Sequence, residues 1–460
     1  MTLELPKRKM YRYCLADIAK GLFNGMIGNY LLYFFQPTLA SGLPQLLPDN
    51  KLFGFITIMA LITALGKLVD AVSDPIVASL SDRYESDKGR RLPFMRISAI
   101  PYALSVLLIF CAPFDNGSVL NALWVTLFLI LYYVSYTLYF IPKNALVPEI
   151  ITDAKKRVGY YGISTAFFMG SSSFMYTSTL FVDILKNNGF TPLWSWRIVF
   201  FVFAMIGCVC LLLSATAFNE NDYVANHKRP QESIIRSFKI MFDNPNFVTF
   251  TLADLCSGIS MAFFQASMLY YITVLLNVIE SQSFLVMICA IAVALCLFPI
   301  VVKWSKEVGK KRLLLIAEVI FSVVYGFIYV GDNVVVYFPG KELMIGLAMG
   351  VAVAFPFAVI NILPQSVISD IIQLDSIKSG INREGMFSAV KTFIEKIASA
   401  LALMCVSSVL AIGALENEVV GLTGVKLTGV IALIFNILSL VFYAKYDEKS
   451  VLNCIEHVKE

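Results

Sequence analysis

Gly66-Lys67-Leu68-Val69-Asp70-Ala71-Val72-Ser73-Asp74-Pro75 lies inside an apolar run, from about Leu52 to Leu80, that is long enough to cross a bilayer. On a helix, positions 67, 70 and 74 are spaced i, i+3, i+7, so one lysine and two carboxylates share a face. Each turn advances about 5.4 Å, and counting back from the polar boundary at Ser81 puts Asp74 roughly 10 Å deep. Asp70 then sits roughly 16 Å deep, near the middle of a hydrocarbon core about 30 Å thick. An ionised group there costs on the order of 3 kcal/mol. Three such groups on one face point to a polar cavity and a bound cation; a structural Lys–Asp lock between helices is the alternative.

The rest of the chain agrees with a membrane setting. Of 460 residues, 58% are hydrophobic and only 15% charged, against about 25% charged in soluble domains. The net charge of +4 is spread over short loops, which excludes a nucleic-acid-binding patch. Pro6-Lys7-Arg8-Lys9 precedes a long apolar segment without a small-residue cleavage site, so a cytoplasmic start is expected rather than a removed signal peptide. Most of the nine cysteines fall inside apolar runs without metal-type spacing, and disulfides are not expected. His227 and His457 lie in polar segments, away from any proton relay within the membrane. Nucleophile elbows, P-loops, Gly-rich phosphate cradles and His-based metal sets are all missing from the sequence, so an enzyme is not expected.

Charge-poor runs of about 18 residues or more predict twelve spans, near 14–39, 52–80, 94–113, 119–142, 159–182, 196–218, 246–275, 282–303, 312–330, 342–364, 386–413 and 426–444. Lys and Arg concentrate in alternate connections: Lys7–Arg12, Arg83–Arg96, Lys155–Arg157, Lys228–Lys239, Lys303–Arg312, Lys378–Lys391 and the tail. The opposite connections hold only Lys51, Lys186, Arg197, Lys341 and Lys426, which predicts both termini on the cytoplasmic side of the cell (inner) membrane.

The longest polar interruption, 219–245, divides the chain into an N-terminal bundle (1–218) and a C-terminal bundle with its tail (246–460). The halves also echo one another. Asp82 to Arg91 follows span 2, Lys303 to Arg312 follows span 8, and each has a glycine (Gly89, Gly309) directly before basic residues. Asn144-Ala145-Leu146-Val147-Pro148 resembles Asn361-Ile362-Leu363-Pro364 at nearly the same offset. Together these predict an all-α membrane protein of two six-helix bundles, a parallel duplication suited to alternating access.

Further charged groups fall within spans: Asp17, Lys20, Lys143, Asp254, Glu318, Glu395 and Lys396. Lys396 lies roughly 15 Å from the start of span 11, level with Asp70, and is expected to meet a carboxylate or the substrate. Asp17, Asp254 and Glu318 sit within about two turns of inner span ends, where solvation or helix capping is expected at least as much as a ligand role. Lys143, beside Pro142, reads as a headgroup-level anchor or a gate residue.

The chain resembles the glycoside–pentoside–hexuronide:cation symporters, a branch of the major facilitator superfamily that includes the melibiose carrier. Four stretches carry the resemblance: Asp70-Ala71-Val72-Ser73-Asp74-Pro75, Lys88-Gly89-Arg90-Arg91-Leu92-Pro93-Phe94, Tyr136 to Pro142, and Arg383-Glu384-Gly385 through Lys396. The resemblance implies a cation site at Asp70 and Asp74, with Ser73 and Thr137 supplying hydroxyls. It implies a coupling role for Lys396, with Thr392 one turn earlier, and puts Lys67 where the family has an arginine. Lys20 and Asn144 are further candidates for coupling or substrate contact, and Gly89, Arg90 and Arg91, at the inner end of span 2, are expected to act in the conformational cycle, with positive-inside anchoring as the alternative.

The melibiose carrier holds galactoside with one aspartate on span 1 and another on span 4, and those positions are Gly21 and Phe140 here. A galactoside is therefore not expected. The expectation is a monomeric symporter of a sugar or glycoside driven by Na⁺ or H⁺, without cofactor. A cation-coupled carrier of lysolipid or another amphiphile, and a non-transporting sensor on the same fold, are the alternatives.

Overall fold

The computed structural model describes residues 6–38, 41–48, 51–52, 56–84, 86, 89–114, 116–151, 154–223, 245–379, 384–414, 419–448 and 450–451. Lys88, His227, Arg383 and His457 lie outside them, as does most of the polar stretch between the halves.

The described residues form twelve helical rods. In the first half they are α1 (Lys7–Gly25, continued by a π turn Met26–Tyr30 and Leu31–Phe35), α2 (Ile58–Arg83), α3 (Leu92–Phe110) and α4 (Val119–Ile150). α5 (Ala154–Phe174, a 3-10 turn Met175–Thr177, then Ser178–Asn187) and α6 (Pro192–Ala215) complete it. The second half holds α7 (Pro245–Tyr270 and a π turn Tyr271–Leu275), α8 (Glu280–Glu307), α9 (Lys310–Tyr337), α10 (Glu342–Ser379), α11 (Glu384–Leu410) and α12 (Leu422–Lys445). A short antiparallel pair, β1 (Lys51–Leu52) and β2 (Ile56–Thr57), leads into α2.

Local chemistry sets the helix starts. Thr57 caps α2 by accepting the Ala60 N–H at 3.1 Å, and Ser118 caps α4 by accepting that of Leu120 at 3.2 Å. α6 opens on Thr191-Pro192, where proline's missing N–H costs nothing. The rods overrun the predicted spans: α4 reaches Ile150 and α10 reaches Ser379. Hydropathy marks only the part of a helix that meets lipid, while backbone hydrogen bonding continues past that boundary. Among the described residues, nine helices are long and apolar enough to cross a membrane; α1, α2 and α5 are the more polar remainder, α2 because it carries Lys67, Asp70 and Asp74.

The chain divides into two compact units, Met1–Lys228 with Leu415–Val420, and Arg229–Ala414 with Gly421–Glu460. Within the first, α1 packs on α5 and α6, α2 on α4, and α3 on α4 and α6. Within the second, α7 packs on α11 and α12, α8 on α10, and α9 on α10 and α12. Adding six to each helix number converts one pattern into the other, as a parallel duplication requires. The core of the first unit is aromatic, with Tyr30, Phe34, Phe110, Trp196 and Phe200 interleaved and the Phe110 and Phe200 rings 4.3 Å apart. The second unit packs Phe247, Phe250, Leu314 and Tyr443 against alanines and valines of α10.

Candidate functional site

The i, i+3, i+7 face of α2 turns toward α4. Asp70 is buried, at 3% exposure, and lies within electrostatic reach of Tyr102, Tyr132 and Tyr133. One turn on, the Ser73 hydroxyl is 3.0 Å from that of Thr137, which in turn donates to Asp74 Oδ1 at 3.1 Å. The Ser73 hydroxyl also lies 3.1 Å from the backbone carbonyl of Asp70, and its single proton goes either there or to Thr137. The Asp74 carboxylate, two hydroxyls and a backbone carbonyl form a small all-oxygen set, the donor type that hard cations prefer, with Asp70 one turn earlier on the same helix. Lys67 does not complete that set; its ammonium lies over the Tyr133 ring, 5.0 Å from the centroid.

The remaining predicted residues are dispersed. Lys20 lies over the rings of Phe140 and Phe168, at 5.4 and 5.2 Å. Asn144 is exposed on α4; on α11 Thr392 is exposed and Lys396 half-buried. Gly89, Arg90 and Arg91 form the turn into α3, with Gly89 in the left-handed region at φ +97°.

That turn is held by a residue with no sequence signal of its own. Glu220, after α6, accepts the N–H groups of Arg91 and Leu92 at 2.8 and 2.9 Å, capping the N-terminus of α3. A Cβ on Gly89 would meet its carboxylate at 2.5 Å, so glycine is required for space as well as for φ. The second half repeats the device: Gly309 has φ +94°, and Glu448, after α12, accepts the N–H groups of Lys310 and Lys311 at 2.8 and 3.2 Å. Only this recurrence in both halves could have marked the two glutamates in advance.

Several charged groups differ from their expected roles. Asp17 is not solvated: its oxygens receive Lys143 Nζ at 2.9 Å each and the Ser164 hydroxyl at 2.6 Å, and the Lys143 side chain is 1% exposed. Lys143 is therefore not a headgroup anchor. Tyr160 accepts a further N–H from it at 3.1 Å, and the rings of Tyr13 and Phe140 flank the ammonium. Lys391, counted above among loop cations, is buried on α11 and bridges Asp254 at 3.2 Å and Glu395 at 2.8 Å. Glu318 is fully buried rather than capping or solvated. Depth counted along a helix misled here because neighbouring helices, not lipid or water, cover these faces.

Residues 12–446 match the family described as MFS/sugar transport protein. The chain belongs to that family. A protein of Escherichia coli (strain K12), named provisionally as a sulfoquinovose importer, is 26% identical over 412 residues, covering 87% of this chain and 81% of the relative. The lactose permease of Lactobacillus helveticus is 24% identical over 405 residues, covering 85% of this chain and 60% of that one. Among solved structures, the inward-open xylose transporter XylE from E. coli superimposes with a TM-score of 0.65 at 13% identity, over 98% of each chain, a likeness of fold alone. The chain is a multi-pass membrane transporter rather than an enzyme, and the resemblance read from its sequence is borne out.

The lack of carboxylates at Gly21 and Phe140 in this chain has a packing reason. A Cβ on Gly21 would lie 2.0 Å from Ser171 Oγ and 2.4 Å from the Phe168 carbonyl oxygen, because α1 and α5 touch there. Phe140, 2% exposed, fills the corresponding place on α4. Gly21→Asp is expected to prise α1 from α5 and lower the unfolding free energy by about 3 kcal/mol or more, without creating galactoside binding. Thermal unfolding of the purified variant checks the first part and galactoside binding the second; a stable variant would mean α1 and α5 separate freely.

Proposed function

We propose that this chain is a secondary active symporter that moves a sugar or glycoside by alternating access, driven by Na⁺ or H⁺ bound at Asp70 and Asp74. The observation that carries the reading is the buried oxygen set itself: Asp74, Thr137 and Ser73 joined by hydrogen bonds beside the buried Asp70. No other group in the first unit combines two acids, two hydroxyls and such burial among the described residues. A proton can take the same place, since neighbouring carboxylates raise each other's proton affinity. Family membership and the sugar-transporting names of the relatives support the substrate class. In this reading Lys67 offsets part of the acids' charge when no cation is bound, and Lys396 is the coupling residue that engages a polar substrate. Lys20, Asn144 and Thr392 would contact that substrate.

Accumulation of a labelled sugar panel in right-side-out vesicles, with and without a Na⁺ or H⁺ gradient, tests this. Accumulation of no sugar under either gradient would overturn it. A second reading, a carrier of lysolipid or another amphiphile, is favoured by the apolar Gly21 and Phe140 positions, and adding lysolipids to the panel separates the two. The protein acts as a monomer in the cell (inner) membrane, with both termini in the cytoplasm, as the distribution of Lys and Arg supports.

Gly89, Arg90 and Arg91 act in the conformational cycle, and Glu220 is the clasp that holds their turn. Glu220→Gln keeps the shape but weakens two charge-assisted bonds, each worth about 1.5–3 kcal/mol. The expected result is altered turnover with sugar affinity nearly unchanged; affinity lost at constant turnover would place the turn in binding instead.

A further inference from the structure

Glu318, on α9, is fully buried. Its carboxylate receives the Asn436 amide at very close range and the Ser439 hydroxyl at 3.2 Å, both from α12. Neither donor is charged, and among the described residues it has no ion pair. Its titratable neighbours are Asp254 and Cys256 of α7, Tyr443 of α12 and, on α9 itself, Tyr325. No described cation faces it. An ionised carboxylate in such a place carries a large solvation cost, whereas a carboxylic acid can both donate and accept among neutral partners.

The surroundings lead outward. Near Glu318 and Asp254 stand the hydroxyls of Ser257 and Tyr443, both deeply buried and neither making a well-formed hydrogen bond, with Ser257 close to both Glu318 and Tyr443. Buried hydroxyls are almost always satisfied, so this pair marks a place where a water molecule would bridge the two acids. Asp254 meets Lys391 at 3.2 Å, and Lys391 meets Glu395 at 2.8 Å. The Glu395 side chain is 43% exposed. A polar file thus runs through the second unit from an accessible acid to a blind, neutral-walled one. It holds three carboxyls and one ammonium, so the file as a whole has room for bound protons.

The geometry points to a proton-binding site in the second bundle, with Glu318 as its acceptor carboxyl and Glu395, Lys391, Asp254, Ser257 and Tyr443 as the route by which protons reach it. The step is a proton transfer only: an O–H bond forms on a Glu318 carboxyl oxygen as one breaks on the bridging water, which takes a proton in turn from the Asp254 carboxyl, without redox change. This site is separate from the Asp70–Asp74 set.

Infrared difference spectroscopy on the purified full chain, produced with ¹³C-labelled glutamate, tests the site with protons themselves as the probe. The expected result is a glutamic-acid C=O band still present at about pH 7, where a solvated glutamic acid (about 4.3) is fully ionised. The band should titrate away reversibly on further alkalinisation while the fold survives. Glu318→Gln should abolish it, and Asp70→Asn should leave it in place, which separates this site from the cation site proposed above. Glu395→Gln should keep the band but slow its hydrogen–deuterium exchange. A wild-type protein without such a band would overturn the proposal, and that measurement needs no variant to fold. So would a band that survives in Glu318→Gln, or one that persists unchanged until unfolding, since a permanently neutral acid merely cross-links α9 and α12. Unaltered exchange in Glu395→Gln would overturn the route.

Discussion

Lys143→Ala is expected to destabilise the first unit by roughly 3–5 kcal/mol, the scale of stranding one partner of a buried ion pair. Both Asp17 oxygens lie 2.9 Å from Lys143 Nζ, and Ser164 would be left as the main donor to a buried carboxylate. The change also removes a methylene stem packed among Tyr13, Phe140 and Tyr160. The informative comparison is the double variant Asp17→Leu with Lys143→Met, which takes away both charges while keeping apolar bulk. Replacing a whole buried pair in this way is often neutral or stabilising, so the double variant should recover most of the loss. Denaturation midpoints of wild type, Asp17→Leu, Lys143→Met and the double variant in detergent give the coupling energy. A Lys143→Ala protein within about 1 kcal/mol of wild type would mean that water reaches Asp17 and the pair is not closed.

Asp70→Asn and Asp74→Asn are expected to abolish cation-driven accumulation while leaving the protein folded. Each amide keeps the shape of the acid and removes one formal charge from the set around Ser73 and Thr137. Losing a charged ligand should weaken apparent cation affinity roughly 100-fold, equivalent to about 2.8 kcal/mol. Thr137→Val, which removes one neutral oxygen and leaves the Ser73 hydroxyl only the Asp70 backbone carbonyl, should cost nearer tenfold, about 1.4 kcal/mol. Cation titrations of sugar uptake order the three variants. Equal losses in all three would point to a collapsed α2–α4 contact rather than to charge, and wild-type accumulation in both aspartate variants would remove the cation site.

Much of this protein was legible in its sequence because the relevant information is local. Apolar runs set by bilayer thickness marked the twelve rods, and the 3.6-residue period put Lys67, Asp70 and Asp74 on one face of α2 before any neighbour was known. The glycines before α3 and α9 announced the repeat, since a left-handed turn leaves its residue type in the chain. Tertiary structure alone decided which helix each charged face meets. Asp17 finds a lysine 126 residues away, Glu318 an amide 118 away, and Gly89 a carboxylate beyond the end of α6. Periodicity gives a side chain its angle around its own helix and its depth along it. Whether lipid, water or another side chain lies at that angle depends on how helices pack, and Gly21, pressed against the backbone of α5, shows that even a missing side chain takes its meaning from there.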